Sequence, residues 1–164
     1  MVTLNDIRQF LLSLPDVSEG MSWDSVSFKV NKKMEYGIIA LLYLDGKADK
    51  VASVREIATE CGVPETLLSK IMQTMKNESF VSAVYGNHGG YRLNQNLAQI
   101  SLLDLTRSLV GPLHVASCLE AGNKECPAHS QCSIIAPMSV LNDKIVDLFQ
   151  STSVETLANR KATL

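Results

Sequence analysis

Residues 54–75 predict two short helices joined by a tight turn, and this pattern limits the possible folds more than any other part of the chain. Ser53 followed three residues later by Glu56 is a capping-box pattern, and Gly62 stands where a C-cap glycine is expected. Pro64 suits the first position of the second helix. Apolar residues recur there at intervals of three and four, namely Leu67, Leu68, Ile71, Met72 and Met75. The pair predicts a helix-turn-helix whose second helix is the candidate recognition helix for DNA.

After Phe80 the apolar period changes from that of a helix to the two-residue period of a strand. Residues 80–85 alternate, the glycine-rich sequence GNHGG follows, and YRL resumes the strand pattern, which predicts a β-hairpin. A hairpin directly after a helix-turn-helix is a wing. Its glycines would let the backbone turn sharply and approach a phosphate closely.

Other parts of the chain show helical periodicity. We expect a short amphipathic helix over residues 4–14, a helix over 33–44 with Tyr36, Ile39, Ala40 and Tyr43 toward the core, and a helix that begins after Ser101. The predicted fold class is therefore mainly α with a small β-hairpin wing (α+β).

A long C-terminal helix is predicted after the cysteine-rich segment. Its apolar residues follow heptad spacing, at Ile134, Met138, Leu141, Ile145 and Leu148. The seam suits a partner helix in a homodimer, but two heptads also fit packing onto the chain's own core.

The charge distribution leaves room for a local cationic face. The chain of 164 residues has a net charge of -2, whereas residues 28–93 carry 9 Lys and Arg against 7 Asp and Glu, a net +2. No apolar run approaches the roughly 18 residues of a membrane span, so we expect a cytoplasmic protein without a membrane partner. In a reducing compartment, clustered cysteines point to metal binding or redox chemistry.

Three of the four cysteines lie in one segment with the spacing C-x7-C-x5-C, at Cys118, Cys126 and Cys132. Thiolates are soft, strongly donating ligands, and three in one loop can converge on a single site. With a fourth, weaker ligand such as His129 they could hold a two-iron or four-iron cluster, and with a nearby histidine they could hold zinc. The third possibility is that two of the three cysteines form a reversible disulfide.

Several segments together resemble the Rrf-type winged-helix regulators, the group that contains IscR and NsrR. They are KKMEYGIIALLYL, VREIATECGVPETLLSKIM, VSAVYGNHGGYRL and ISLLDLTRSL, followed by the clustered cysteines. The resemblance implies a homodimeric transcription factor whose long C-terminal helices form the dimer, and we expect it to act as a repressor. It also implies that the loop holds an iron-sulfur cluster that senses nitric oxide, redox state or cluster supply. The implied ligands are Cys118, Cys126 and Cys132, with Glu35 reaching across the dimer as the fourth.

The same resemblance divides the chain into four parts. Residues 30–113 correspond to the winged helix-turn-helix DNA-binding domain, 114–133 to the cluster-binding loop, and 134–164 to the dimerisation helix and tail. Residues 1–29 are an extension that resembles the opening of the small MmcQ/YjbR-type domains.

Residues that would contact double-stranded operator DNA follow from the polar face of the recognition helix and from the resemblance. The family wing often carries an arginine at the position of Tyr85, so we expect the next residues of the wing to make its contact instead. Short polar and cationic side chains reach base edges and phosphates. The predicted contacts are Thr66, Ser69, Lys70, Gln73, Asn87, His88 and Lys33.

No sequence motif of an enzyme is present. The chain lacks GxxxxGK, a nucleophile elbow and HExxH, and its three histidines do not flank a plausible nucleophile. Two alternatives to a cluster-sensing regulator stay open: a thiol-disulfide switch without a cluster, and a zinc-stabilised winged-helix module that binds protein.

Overall fold

The computed structural model describes residues 31–47, 50–86, 89–120 and 129–159. The predicted helix over residues 4–14 lies outside them. The described residues fall into two compact units, one containing those within 31–114 and 145–159 and the other those within 115–144.

The first helix of the larger unit, α1 (Lys32–Gly46), confirms the predicted helix and extends it at both ends. Asn31 caps it, since its side chain accepts a hydrogen bond from the backbone N–H of Lys33. All four predicted core-facing residues pack in or against the core. Ala40 is buried, but Tyr36, Ile39 and Tyr43 are half-buried, and the buried side is Met34, Gly37, Ala40, Leu41 and Leu44.

Gly37 lets another helix approach α1 closely. A Cβ atom at this position would lie 2.5 Å from Cδ1 of Leu109. The helix that carries Leu109 therefore packs against the glycine side of α1.

The helix-turn-helix consists of α2 (Val54–Cys61) and α3 (Glu65–Asn77). Ser53 accepts a hydrogen bond from the N–H of Glu56 at 3.1 Å, and Gly62 adopts φ +66°, the left-handed C-cap conformation. Both predictions are confirmed. Pro64 is the N-cap rather than the first helical residue, because its ψ of 120° is extended. The buried side of α3 is Leu68, Ile71, Met72 and Met75.

The predicted hairpin is confirmed as β1 (Val81–Val84) paired antiparallel with β2 (Gly90–Leu93). Its register places Ser82 opposite Arg92. Ala52, just before α2, forms an isolated bridge with Tyr91 through hydrogen bonds of 3.0 and 2.8 Å. The wing is thereby joined to the start of the helix-turn-helix.

Helices α4 to α6 complete the larger unit. Ser101 caps α4 (Leu102–Leu109), as predicted, by accepting from the N–H of Asp104 at 3.0 Å. The helix α5 (Ile135–Ser151) begins in the smaller unit and ends in the larger one, where α6 (Val154–Asn159) follows. Val154 is fully buried and donates its N–H to the carbonyl oxygen of Ile100 at 2.9 Å. The C-terminal segment is therefore part of the core of this unit.

In the smaller unit, two single 3-10 turns, Ser117–Leu119 and His129–Gln131, precede α5. Asn142 of α5 accepts a hydrogen bond from the N–H of Val115 at 3.1 Å. This bond ties the start of the cysteine segment to the long helix.

Along the predicted seam, Leu141 is buried, Met138 and Ile145 are half-buried, and Ile134 and Leu148 are exposed. Among the described residues, no helix is both long enough and apolar enough to cross a membrane.

Candidate DNA interface and cysteine loop

The recognition helix α3 presents the four predicted DNA-contacting side chains to solvent. Thr66, Ser69, Lys70 and Gln73 are all exposed, whereas the residues between them pack into the core. The Ser69 hydroxyl donates to the carbonyl oxygen of Glu65 at 2.8 Å, so its oxygen is left as an acceptor. Lys70 forms no ion pair with any residue in the described part of the chain. The face offers donors and acceptors of the kind that read base edges and phosphates.

The described part of the wing exposes two long side chains, Tyr85 and Arg92. Tyr85 is 87% exposed at the end of β1, and Gly86 adopts φ +123°, a conformation that strains other residues. Asn87 and His88 lie outside the described residues. Arg92 is also exposed, and its Nε donates to Oγ of Ser82 across the hairpin at 3.2 Å.

Arg92 and Arg55 are not among the DNA contacts that the sequence predicted. Arg55 is exposed in the first turn of α2, the other helix of the pair. Predicting the position of Arg92 requires the register of the hairpin, because Arg92 lies opposite Ser82 only when Val81 pairs with Leu93.

The two lysines at the start of α1, Lys32 and Lys33, differ in their partners. Lys33 is exposed and makes no side-chain ion pair with the described residues. Lys32 pairs with Glu35 at 2.7 Å and lies 5.5 Å from the ring centre of Tyr36. The hydrogen bond to Glu35 raises the pKa of Lys32. Lys33 therefore fits a phosphate contact better than Lys32.

A polar cluster joins the end of α1 to α2. Glu56 accepts hydrogen bonds from Lys47 and, at 3.1 Å, from the hydroxyl of Tyr43. The bond from Lys47 lowers the pKa of Glu56, outweighing the desolvation that opposes it. Desolvation, followed by the bond to Glu56, raises the pKa of Tyr43. The cluster fixes the start of the helix-turn-helix relative to α1.

In the smaller unit, the structure describes two of the three clustered cysteines. Cys118 lies in the first 3-10 turn and Cys132 just after the second, and both are half-buried thiols without a disulfide. His129, which lies between them in the sequence, is half-buried. Cys126 lies outside the described residues. The described residues form no cluster of three or more metal-ligating side chains. The donor set itself, soft thiols on short turns that leave them partly accessible, fits iron-sulfur ligation.

The predicted fourth ligand, Glu35, and the fourth cysteine, Cys61, lie in the larger unit. Glu35 is in the first turn of α1, with its carboxylate paired to Lys32. Cys61 packs against the core at the end of α2, where burial and the nearby Glu60 raise the pKa of its thiol. A thiol that resists ionisation is a poor ligand, which agrees with a structural role for Cys61.

Comparison with known proteins places these features in a family. The Rrf2 family, described as an iron-dependent transcriptional regulator, matches residues 30–160. Protein aau3 of Rhizobium meliloti is 27% identical over 133 residues, covering 81% of this chain and 86% of its own.

Two solved structures have the same fold. CymR, the global cysteine regulator of B. subtilis, is similar with a TM-score of 0.64 and 22% identity, over 83% of this chain and 100% of its own. IscR of T. potens is similar with a TM-score of 0.60 and 20% identity, over 83% of this chain and 90% of its own. Since the family match covers most of the sequence and the winged helix-turn-helix is present, the chain belongs to the Rrf2 family of DNA-binding transcriptional regulators.

Proposed function

We propose that the protein is a homodimeric, sequence-specific DNA-binding repressor that senses nitric oxide, redox state or iron-sulfur supply through a cluster in its cysteine loop. The observation that supports it most is the combination of an exposed polar face on α3 with a wing in one unit and accessible clustered thiols in the other. The family description as iron-dependent agrees with this combination.

For DNA binding, α3 would enter the major groove with Thr66, Ser69, Lys70 and Gln73. Gln73 suits adenine, Lys70 suits a guanine edge or a phosphate, and the two hydroxyls suit phosphates or either base. Two recognition helices in a dimer would meet half-sites about 34 Å apart. Lys33 and the wing would add contacts to the backbone.

DNA binding is tested by selecting duplexes from a random library with the full-length protein and footprinting the selected sequence. We expect two protected half-sites about one helical turn apart. Gln73→Ala should weaken binding and relax the preference at one base position, by about 1–3 kcal/mol. Lys76→Ala is the matched control, because Lys76 is exposed in the last turn of the same helix. No enrichment and no footprint would refute this part of the proposal.

For sensing, Cys118, Cys126 and Cys132 would hold the cluster, and Glu35 of the second subunit would supply an oxygen ligand. A bound iron-sulfur cluster supplies a centre that reacts with nitric oxide and oxygen and exchanges electrons. Glu35 lies in the helix that packs against α3 and α4. A ligand at that position would link the cysteine loop of one subunit to the DNA-binding unit of the other.

Cluster binding is tested on protein purified without oxygen, by visible absorption together with iron, sulfide and zinc analysis. We expect a brown protein containing iron and sulfide, with the colour lost in Cys118→Ser and Cys132→Ser and kept in Cys61→Ser. Glu35→Ala should change the spectrum and the sensitivity of DNA binding to nitric oxide. If Glu35→Ala changes neither, Glu35 is not the fourth ligand.

The half-buried thiols also fit a thiol-disulfide switch. Two of the three thiols would lose two electrons and two protons to an oxidant such as hydrogen peroxide and form one disulfide. Such a protein would be colourless after anaerobic purification and would show a reversible change in DNA affinity with peroxide and dithiothreitol. Zinc without iron would instead favour a structural metal site.

A further inference from the structure

The wing and the first helix of the helix-turn-helix carry two exposed arginines. Arg92 lies on β2 and Arg55 in the first turn of α2. Neither forms an ion pair with any residue that the structure describes. An arginine without a carboxylate partner keeps its guanidinium available for a ligand, and its planar fork matches phosphate oxygens.

Arg92 is held in place by its neighbour across the hairpin. Ser82 and Arg92 are paired in the register, and Nε of Arg92 donates to the hydroxyl oxygen of Ser82 at 3.2 Å. This bond uses one of the five guanidinium N–H donors and leaves the terminal nitrogens available. A side chain ordered in advance loses less conformational entropy on binding.

Arg55 is brought near the same hairpin by the backbone. The bridge between Ala52 and Tyr91 joins the residue before the α2 cap to the neighbour of Arg92. The approach is close, because a Cβ on Gly90 would lie 2.3 Å from the carbonyl oxygen of Ala52. In helix-turn-helix proteins the first helix crosses the DNA backbone while the second lies in the groove.

We propose that Arg92, oriented by Ser82, and Arg55 bind backbone phosphates of the DNA that α3 reads. The assignment rests on the proposed DNA binding and adds to it a phosphate-binding surface outside the recognition helix. Arg92 would also give the wing a cationic contact, although Tyr85 occupies the position where the family wing often carries an arginine. The two arginines set affinity and orientation, whereas α3 sets sequence preference.

The test is the salt dependence of binding, measured by fluorescence anisotropy with full-length protein and the selected duplex. Each phosphate contact contributes about 0.9 to the slope of log K against log salt. Arg92→Gln removes one contact from each subunit of a dimer, so the slope should become shallower by about 1.8, with a similar loss on duplexes of unrelated sequence. Arg55→Gln should make the slope shallower by a similar amount.

Two further variants separate these roles from a general effect of charge. Arg107→Gln removes an exposed arginine from the last turn of α4 and should leave the slope unchanged. Ser82→Ala keeps the Arg92 charge but removes the acceptor for its Nε, so affinity should fall about two- to tenfold with the slope retained.

The outcomes distinguish the two proposals. If the wild-type protein shows no salt-dependent binding to any duplex, the proposed function fails and the phosphate contacts with it. If the wild-type protein binds but Arg92→Gln and Arg55→Gln keep its slope, or Arg107→Gln lowers it equally, only the assignment of the arginines is overturned. Far-ultraviolet circular dichroism of each variant confirms that the fold is kept.

Discussion

Glu56 shows how a single carboxylate connects two helices. Its hydrogen bonds from Lys47 and Tyr43 lower its pKa from the usual 4.5. Because the pKa is lower in the folded chain, the stabilisation is fully present above about pH 4.5. It is lost as the pH falls through the folded-state pKa.

Glu56→Gln should therefore reduce the free energy of unfolding at pH 7 and abolish this part of its pH dependence. The loss should be at most about 1 kcal/mol, since the pair is partly exposed and screened by solvent. Urea unfolding at pH 7 and below pH 4.5 measures it, and the difference between the two proteins should shrink at the lower pH. Glu60→Gln, on the exposed side of the same helix, is the control. A difference that grows on acidification would contradict this role of Glu56.

Single residues that act locally were predictable from the sequence. The caps at Ser53, Gly62 and Ser101 depend only on neighbours within one helical turn, and all three are confirmed. Arg92 was missed because its partner Ser82 is ten residues away and depends on strand register.

Among the secondary-structure elements, the wing depends on close contact between backbones. Gly90 sits where any side chain would meet the carbonyl group of Ala52, which is held by the bridge to Tyr91. The contact atom is backbone and cannot move aside as a flexible side chain could. The position of β2 relative to α2 is therefore sensitive to one methyl group.

Gly90→Ala should destabilise the protein by about 1–3 kcal/mol, because the added methyl group forces a backbone shift. It should also weaken DNA binding by displacing the wing. Gly46→Ala is the matched control, since a Cβ there meets nothing within 4 Å at the end of α1. Urea unfolding compares the two. Equal stability of both variants would show that the bridge does not constrain the wing.

The elements that the sequence predicted poorly are those set by long-range packing. The helices α1 to α4 were expected, but the buried side of α1 depends on how closely Leu109 approaches Gly37. The pairing of Ser101 with Ser153, which joins residues far apart in sequence, left no local signal.

For the molecule as a whole, the heptad seam on α5 is the proposed dimer contact. Leu148 lies on the seam and is exposed in the single chain, while Leu141 is buried. Val140 is on the same helix, is similarly exposed and lies off the seam.

Leu148→Asp should shift the protein from dimer to monomer, because it would bury an unpaired charge between the α5 helices of the two subunits. Val140→Asp should leave the dimer intact. Sedimentation equilibrium at several concentrations measures both variants. A dimer that survives Leu148→Asp would assign the seam to the chain's own core instead.

The sequence predicted the DNA-binding part better than the sensing part for a physical reason. Helical periodicity placed Thr66, Ser69, Lys70 and Gln73 on one exposed face, which the structure confirms. A metal site depends on the convergence of loop side chains and of a second subunit, which periodicity does not encode. The roles of Cys118, Cys126, Cys132 and Glu35 therefore stay predictions.

The regulator proposed here requires the state of the cysteine loop to change the affinity of the DNA-binding face. The decisive measurement is the affinity of anaerobically purified protein for the selected duplex, before and after metal is removed with a chelator. We predict a change of at least about fivefold in the wild type and none in a variant carrying both Cys118→Ser and Cys132→Ser. The same affinity in both states of the wild-type protein would contradict coupling between the loop and the DNA.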